Sequence, residues 1–164
     1  GFCVIRKEGF PPVGVLNLQG QTFMKPIDNP FFAATEAVDE LSKETAIIFV
    51  DMHAETTSEK IAMGRFLDSR VSAVVGTHTH VQTADEQIFP GGTAFLCDAG
   101  CTGPQESILG REIEPILRRF KTYRPQRFGV ASKRVTLNGA LIDIDDETAK
   151  ACSIKRVSEQ MPEE

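Results

Sequence analysis

A chain of 164 residues, 41% hydrophobic and 25% charged, has the size and composition of one globular domain with a sizeable core. Its net charge of −5, without any lysine–arginine run, argues against a nucleic-acid duplex as a stable partner. No stretch approaches the roughly 20 apolar residues that span a bilayer, so no membrane partner is expected. Cys3, Cys97, Cys101 and Cys152 are too few and too scattered for a disulfide framework. They read as reduced thiols of a cytoplasmic protein. Gly1–Lys7 lacks the basic region and apolar run of a signal peptide. The chain opens directly on strand-like sequence without an initiator methionine, which is expected of a piece from the interior of a longer protein.

In chain order, Phe2–Lys7 and Val13–Gln19 read as two strands around the proline-containing turn 8–12, and 21–29 as a loop. Pro30–Lys43 carries helical spacing in Phe31, Ala34, Val38 and Leu41. Ala46–Val50 is an apolar run suited to a strand covered on both faces. Thr56 and Glu59 have capping-box spacing at the start of a helix over Thr56–Ser69, with Ile61, Phe66 and Leu67 inward. Val71–Val75 and Thr93–Cys97 are further buried strands, and Asp98–Gly103 is a glycine-rich loop. Glu112–Lys121 predicts a helix whose Ile113, Ile116, Leu117 and Phe120 form a buried stripe. The tail 127–157 alternates, and Asn138-Gly139 signals a hairpin between antiparallel strands. The acidic residues 158–164 are expected to fray. Alternating strands and helices followed by a β-rich end predict an α/β layered sheet with an antiparallel portion.

Three histidines, His53, His78 and His80, are all the chain contains, and each follows a predicted buried strand. Loops at the C-terminal ends of parallel strands converge on one crevice, so adjacent strands would deliver all three imidazoles there. In extended backbone, residues two apart point to the same side, so His78 and His80 would face the crevice together. Three neutral imidazoles with carboxylates nearby suit a transition metal better than magnesium. Asp51 and Glu55 flank His53, and Asp85 and Asp98 are candidate acceptors orienting the rings. Thr56, at a helix N-terminus, is either a seat for phosphate oxygens or an ordinary cap. The 98–104 loop either walls the site or only permits a tight turn.

The segments Asp51-Met52-His53-Ala54-Glu55-Thr56-Thr57-Ser58-Glu59-Lys60 and Gly76-Thr77-His78-Thr79-His80-Val81-Gln82-Thr83-Ala84-Asp85, with Asp28-Asn29-Pro30-Phe31 and Thr102-Gly103-Pro104, carry a resemblance over nearly the whole chain. The chain resembles the bacterial calcineurin-like metallophosphoesterases of the YmdB type, which hydrolyse cyclic nucleotides. The resemblance implies a four-layer αββα sandwich, with residues 1–157 as the C-terminal part of a single domain. It implies two divalent metal ions (manganese, iron or magnesium, with zinc as a further candidate), His53 and His78 binding one and His80 the other. Asp51, Glu55, Thr56, Thr79 and Asp98 would orient the ligands or contact substrate. The implied substrates are 2′,3′- or 3′,5′-cyclic nucleotides and related phosphodiesters, and a homo-oligomer is a further expectation. Met52 stands where the family usually has an aromatic residue, and Cys101 where methionine is usual. The family's N-terminal ligands, and the Asn-His pair whose histidine is its general acid, have no counterpart here. No catalytic residue is therefore assigned, and the chain alone is expected to be inactive. Two other readings stay open: a catalytically incompetent metal- or nucleotide-binding regulatory module, and a mononuclear three-histidine hydrolase.

Overall fold

The computed structural model describes residues 1–162. They fall into two compact units, one of Gly1–Gly100 with Ala140–Arg156, the other of Cys101–Gly139 with the residues from Val157 onward.

The first unit is built on a six-stranded sheet of order β1-β2-β3-β4-β6-β5. Its strands are β1 (Phe2–Ile5), β2 (Val13–Gln19), β3 (Ile47–His53), β4 (Ala73–Thr77), β5 (Gln87–Ile88) and β6 (Ala94–Leu96). The central pairs β2–β3, β3–β4 and β4–β6 are parallel, and the outer pairs β1–β2 and β5–β6 are antiparallel. The β-branched runs thus fill the middle of the sheet, covered on both faces. Alternation along β3 assigns those faces. Ile48, Val50 and Met52 join Leu16, Leu18 and Val74 beneath helices α1 (Pro30–Leu41) and α2 (Thr57–Phe66), against Ala34, Val38, Leu41, Met63 and Leu67. Phe49 points the other way, with Ala73 and Ala94, onto Ile142, Ala151 and Ile154 of β8 (Val135–Ile144) and β9 (Ala151–Gln160). A helix layer, a sheet and a second β layer are therefore stacked as an α/β fold.

In the second unit, β7 (Gly103–Pro104) pairs antiparallel with Val135 and Thr136 of β8, in a three-stranded sheet of order β7-β8-β9. Helix α3 (Ile113–Thr122) belongs to this unit and has no buried residue.

Several expectations are corrected. His53 is the last residue of β3 rather than the first beyond it. The inward face of α2 is Lys60, Met63 and Gly64, while Ile61 and Phe66 are exposed, because the Lys60 ammonium has a buried partner below the helix. Asn138-Gly139 lies inside β8, and the turn is made instead at 145–150. There Asp145 accepts from the Thr148 amide and hydroxyl, both at 2.7 Å. The expected fray at 158–164 gives way to strand as far as Gln160, with Met161 N donating to the Val135 carbonyl at 2.8 Å; residues 163–164 lie outside the described residues. The stripe of α3 is not buried. All four cysteines are free thiols, and among the described residues no helix is long and apolar enough to cross a membrane.

Candidate metal and phosphate site at the ends of β3 and β4

Parallel pairing of β3 with β4 sets His53 opposite Thr77, so the residues that follow β4 arrive beside the His53 ring. The rings of His53 and His78 meet edge to face, with centroids 4.8 Å apart, and His53 Nε2 lies 3.1 Å from His78 Nδ1.

The proton positions behind this contact follow from hydrogen-bond capacity. The Asp51 carboxylate accepts from Asn17 Nδ2 at 2.8 Å and from the Thr77 hydroxyl at 2.8 Å. Thr77 has one hydroxyl proton and gives it to Asp51. Its contact of 3.0 Å with His53 Nδ1 is then one in which Thr77 accepts, so His53 carries its proton on Nδ1. The lone pair is left on Nε2, facing His78. This is the outer-shell arrangement that fixes tautomer and ring angle in a metal-ligating histidine. On its other edge, His78 Nε2 contacts Glu55 Oε2 at 2.7 Å.

The segment carrying His78 and His80 is not extended, contrary to the same-side reading: both residues have positive φ, 117° and 65°. Non-glycine residues adopt such angles rarely and at a cost, so something must hold them there. Thr79, between the two, is clamped by Asp98, whose Oδ2 accepts the Thr79 amide at 2.9 Å and its hydroxyl at 2.7 Å. The same oxygen receives the Lys60 ammonium at 2.9 Å, and Oδ1 receives the Gly100 amide at 3.0 Å. Lys60 and Asp98 are each 1% exposed at the side chain. Burial by itself would raise the Asp98 pKa; the Thr79 hydroxyl and amide, the Gly100 amide and the ammonium outweigh it and hold the carboxyl below its ordinary range. Burial likewise raises the neighbouring Cys97 thiol, which stays neutral.

Room for this clamp comes from Gly76. A Cβ there would collide with the Cys97 carbonyl and come within 2.6 Å of Lys60 Cδ, so the lysine stem runs over a glycine to reach Asp98. Thr56 caps α2, accepting the Glu59 amide at 3.4 Å. The Glu59 carboxylate turns away from that cap and holds the Gln21 and Thr22 amides at 2.8 and 3.3 Å. Asp85 accepts the Cys97 amide at 3.2 Å and is not among the groups that orient the rings.

The structure thus brings His53, His78, Glu55 and Asp51 into one network, ties Thr79 and Asp98 into its support, and leaves His80 exposed outside it. Lys60, Thr77 and Asn17 were not among the sequence candidates. The tripeptide Gly76-Thr77-His78 and an α2 lysine one turn beyond the cap were the available signals. Among the described residues no three His, Cys, Asp or Glu groups converge on one point. His78 offers its two nitrogens to opposite neighbours, so His53, His78 and Glu55 cannot share an ion in this arrangement. Two of the donors do fit a metal. The 3.1 Å between His53 Nε2 and His78 Nδ1 is the spacing of adjacent ligand atoms on an ion held at about 2.1 Å. Such an ion would replace the proton the two nitrogens share.

The α/β layered fold, with a histidine pair at the C-terminal ends of its parallel strands, recurs in two solved structures. A hypothetical protein from Thermus thermophilus, of known crystal structure, superposes with a TM-score of 0.90 at 36% identity, over 99% of this chain and 62% of that one. A crystal structure described as a novel phosphatase from Mycoplasma pneumoniae superposes with a TM-score of 0.86 at 32% identity, over 98% of this chain and 57% of its own. The chain belongs to the YmdB-like protein family, which matches residues 1–157. The 2′,3′-cyclic-nucleotide 2′-phosphodiesterase of Bacillus subtilis (strain 168) is 56% identical over 157 residues, 96% of this chain. The chain spans 59% of the length of that relative.

Proposed function

We propose that residues 1–157 form the C-terminal part of a metal-dependent phosphodiesterase domain acting on 2′,3′-cyclic nucleotides, with 3′,5′-cyclic nucleotides and related phosphodiesters as further substrates. Family membership and the name of the Bacillus subtilis relative support the reaction class. The observation that carries the metal reading is the relay Asp51–Thr77–His53, which leaves the His53 Nε2 lone pair aimed at His78.

In this reading His53 and His78 hold one divalent ion and His80 a second, of manganese, iron or magnesium, with zinc as a further candidate. When bound, the ions supply positive charge for phosphate oxygens and acidify a water. The chain's own residues do the positioning. Asp51 and Thr77 fix the His53 tautomer, and Asp98 and Lys60 hold the turn that carries His78 and His80. Glu55 faces the outer edge of His78, and Thr56 and the start of α2 offer free amides toward a phosphate oxygen. The free thiols fit a cytoplasmic location. A second reading, a metal- or nucleotide-binding regulatory module without catalysis, draws on the exposure of His80.

Hydrolysis of 2′,3′-cyclic AMP with added manganese, by this chain and by a form matching the full length of the relatives, separates the two. Turnover by the longer form that is lost on His78→Ala is expected. A folded, metal-loaded longer form without turnover would leave the binding module.

A further inference from the structure

The loop that leaves β2 beside the histidine site carries an aromatic ring that its own fold does not use. Gln19, the last residue of β2, stands opposite His53 in the parallel register, and the Gly20 amide donates to the His53 carbonyl at 2.9 Å. A Cβ at Gly20 would run into the Glu59 carboxylate and the Ala54 methyl, so the chain passes close against the strand end and the first turn of α2. Glu59 then holds the Gln21 and Thr22 amides at 2.8 and 3.3 Å. The Gln21 carbonyl accepts the Met24 amide at 3.1 Å, and Gln21 Nε2 donates to the Ile27 carbonyl at 2.6 Å. The turn 21–24 is thus fixed to the strand end that carries His53.

Phe23 fills the third position of that turn with φ of 60°, where glycine or asparagine is the usual occupant. A bulky side chain in the left-handed region costs folding energy, and such outliers collect at ligand sites. Packing recovers little of that cost. Phe23 is 90% exposed, and among the described residues its ring meets neither another ring nor a cation. A residue that strains its backbone and buries nothing is explained by what it presents outward.

We propose that Phe23 is the stacking face for the base of a nucleotide bound at the histidine site. The inference rests on the nucleotide substrate proposed above, and adds the residue that receives its base. Phe23 follows Thr22 by one Cα step of about 3.8 Å, which sets it next to the first turn of α2, where a phosphate oxygen is expected. A nucleotide seated there by its phosphate extends its base across the ribose toward the rim. A phenyl ring has no hydrogen-bonding group, so it selects a flat face and not a base edge. Every base is accepted, and purines, with the larger face, bind better than pyrimidines.

The test uses the form matching the full length of the relatives, with manganese, as wild type, Phe23→Gly and Phe23→Trp. Phe23→Gly should lower the preference for 2′,3′-cyclic AMP over the baseless ribose 2,3-cyclic phosphate about tenfold in kcat/KM, the loss of one stacked base. Phe23→Trp keeps an aromatic face and should hold the wild-type preference. Glycine suits the left-handed backbone, so the urea midpoint of Phe23→Gly should not fall. An unchanged preference, or an equal loss on both substrates, would overturn the inference. So would a lowered midpoint, which would mean that the rest of the longer chain packs on the ring. Calorimetric titration of 2′,3′-cyclic AMP keeps this separate from the proposed activity. A form that binds the nucleotide without turnover, and loses about tenfold in affinity on Phe23→Gly, would refute the phosphodiesterase and support the stack. A wild type that neither binds the nucleotide nor turns it over would overturn both.

Discussion

Lys60→Met removes the ammonium from the Lys60–Asp98 pair while keeping an unbranched apolar stem over Gly76. The pair is fully buried, with 2.9 Å between Nζ and Oδ2. Taking one partner from a buried ion pair costs about 3–5 kcal/mol, because the remaining charge stays desolvated and unmatched. Asp98 keeps three other donors, the Thr79 amide and hydroxyl and the Gly100 amide, which places the expected loss near the lower end, about 3 kcal/mol. Against a typical stability of about 5–15 kcal/mol, that is a large share of the total. With a urea slope of about 2 kcal/mol/M, the unfolding midpoint should fall by about 1.5 M at unchanged slope. Because the pair is coupled, Lys60→Met/Asp98→Asn should lose less than the two single losses added together. A midpoint shift under about 0.5 M for Lys60→Met, or strict additivity in the double variant, would refute the view that this pair holds the turn carrying the histidines.

Three further outcomes follow from the same geometry. Gly76→Ala forces a methyl group into the Cys97 carbonyl, and should cost at least the ~1–3 kcal/mol of an overpacked core, read by thermal unfolding. The Asp98 carboxyl is depressed in the folded chain, so its stabilisation is complete above the ordinary carboxylate pKa and is lost as pH falls through the lower folded value. Chemical denaturation from about pH 7 down to pH 3 should therefore show an acid-limb loss that is smaller in Asp98→Asn than in the wild type. Thr77→Val breaks the link between Asp51 and His53 Nδ1; manganese affinity should drop about 10–100-fold with the fold retained, read by calorimetric titration.

Much of this architecture is legible in the residues. The apolar runs before His53 and His78 predict buried neighbouring strands, and the parallel register that brings the rings together follows from strand–helix alternation. Thr56 three residues before Glu59 marks the start of α2. Local pattern fails where tertiary partners decide. Lys60 goes unremarked in the sequence, since nothing nearby announces an Asp98 thirty-eight positions on that can receive its charge. The His78-Thr79-His80 backbone reads as extended, and its left-handed angles are imposed by the same distant carboxylate. Asn138-Gly139 has the chemistry of a tight turn, yet β8 continues through it: Asn138 is tied to Thr102 and the Cys101 carbonyl, and Asp145 makes the turn instead. The stripe of α3 is correct as a pattern. Amphipathicity shows that a face wants cover, and cannot say whether its own chain supplies it.

The measurement that bears most directly on the metal reading is calorimetric titration of manganese into the wild-type chain, His53→Ala and His78→Ala, with folding checked by circular dichroism. If His53 Nε2 and His78 Nδ1 form a ligand pair, the wild type binds and either single replacement abolishes that binding while leaving the fold intact. Full metal retention by a folded His78→Ala variant would contradict it, and with it the assignment of this crevice as the phosphodiesterase site.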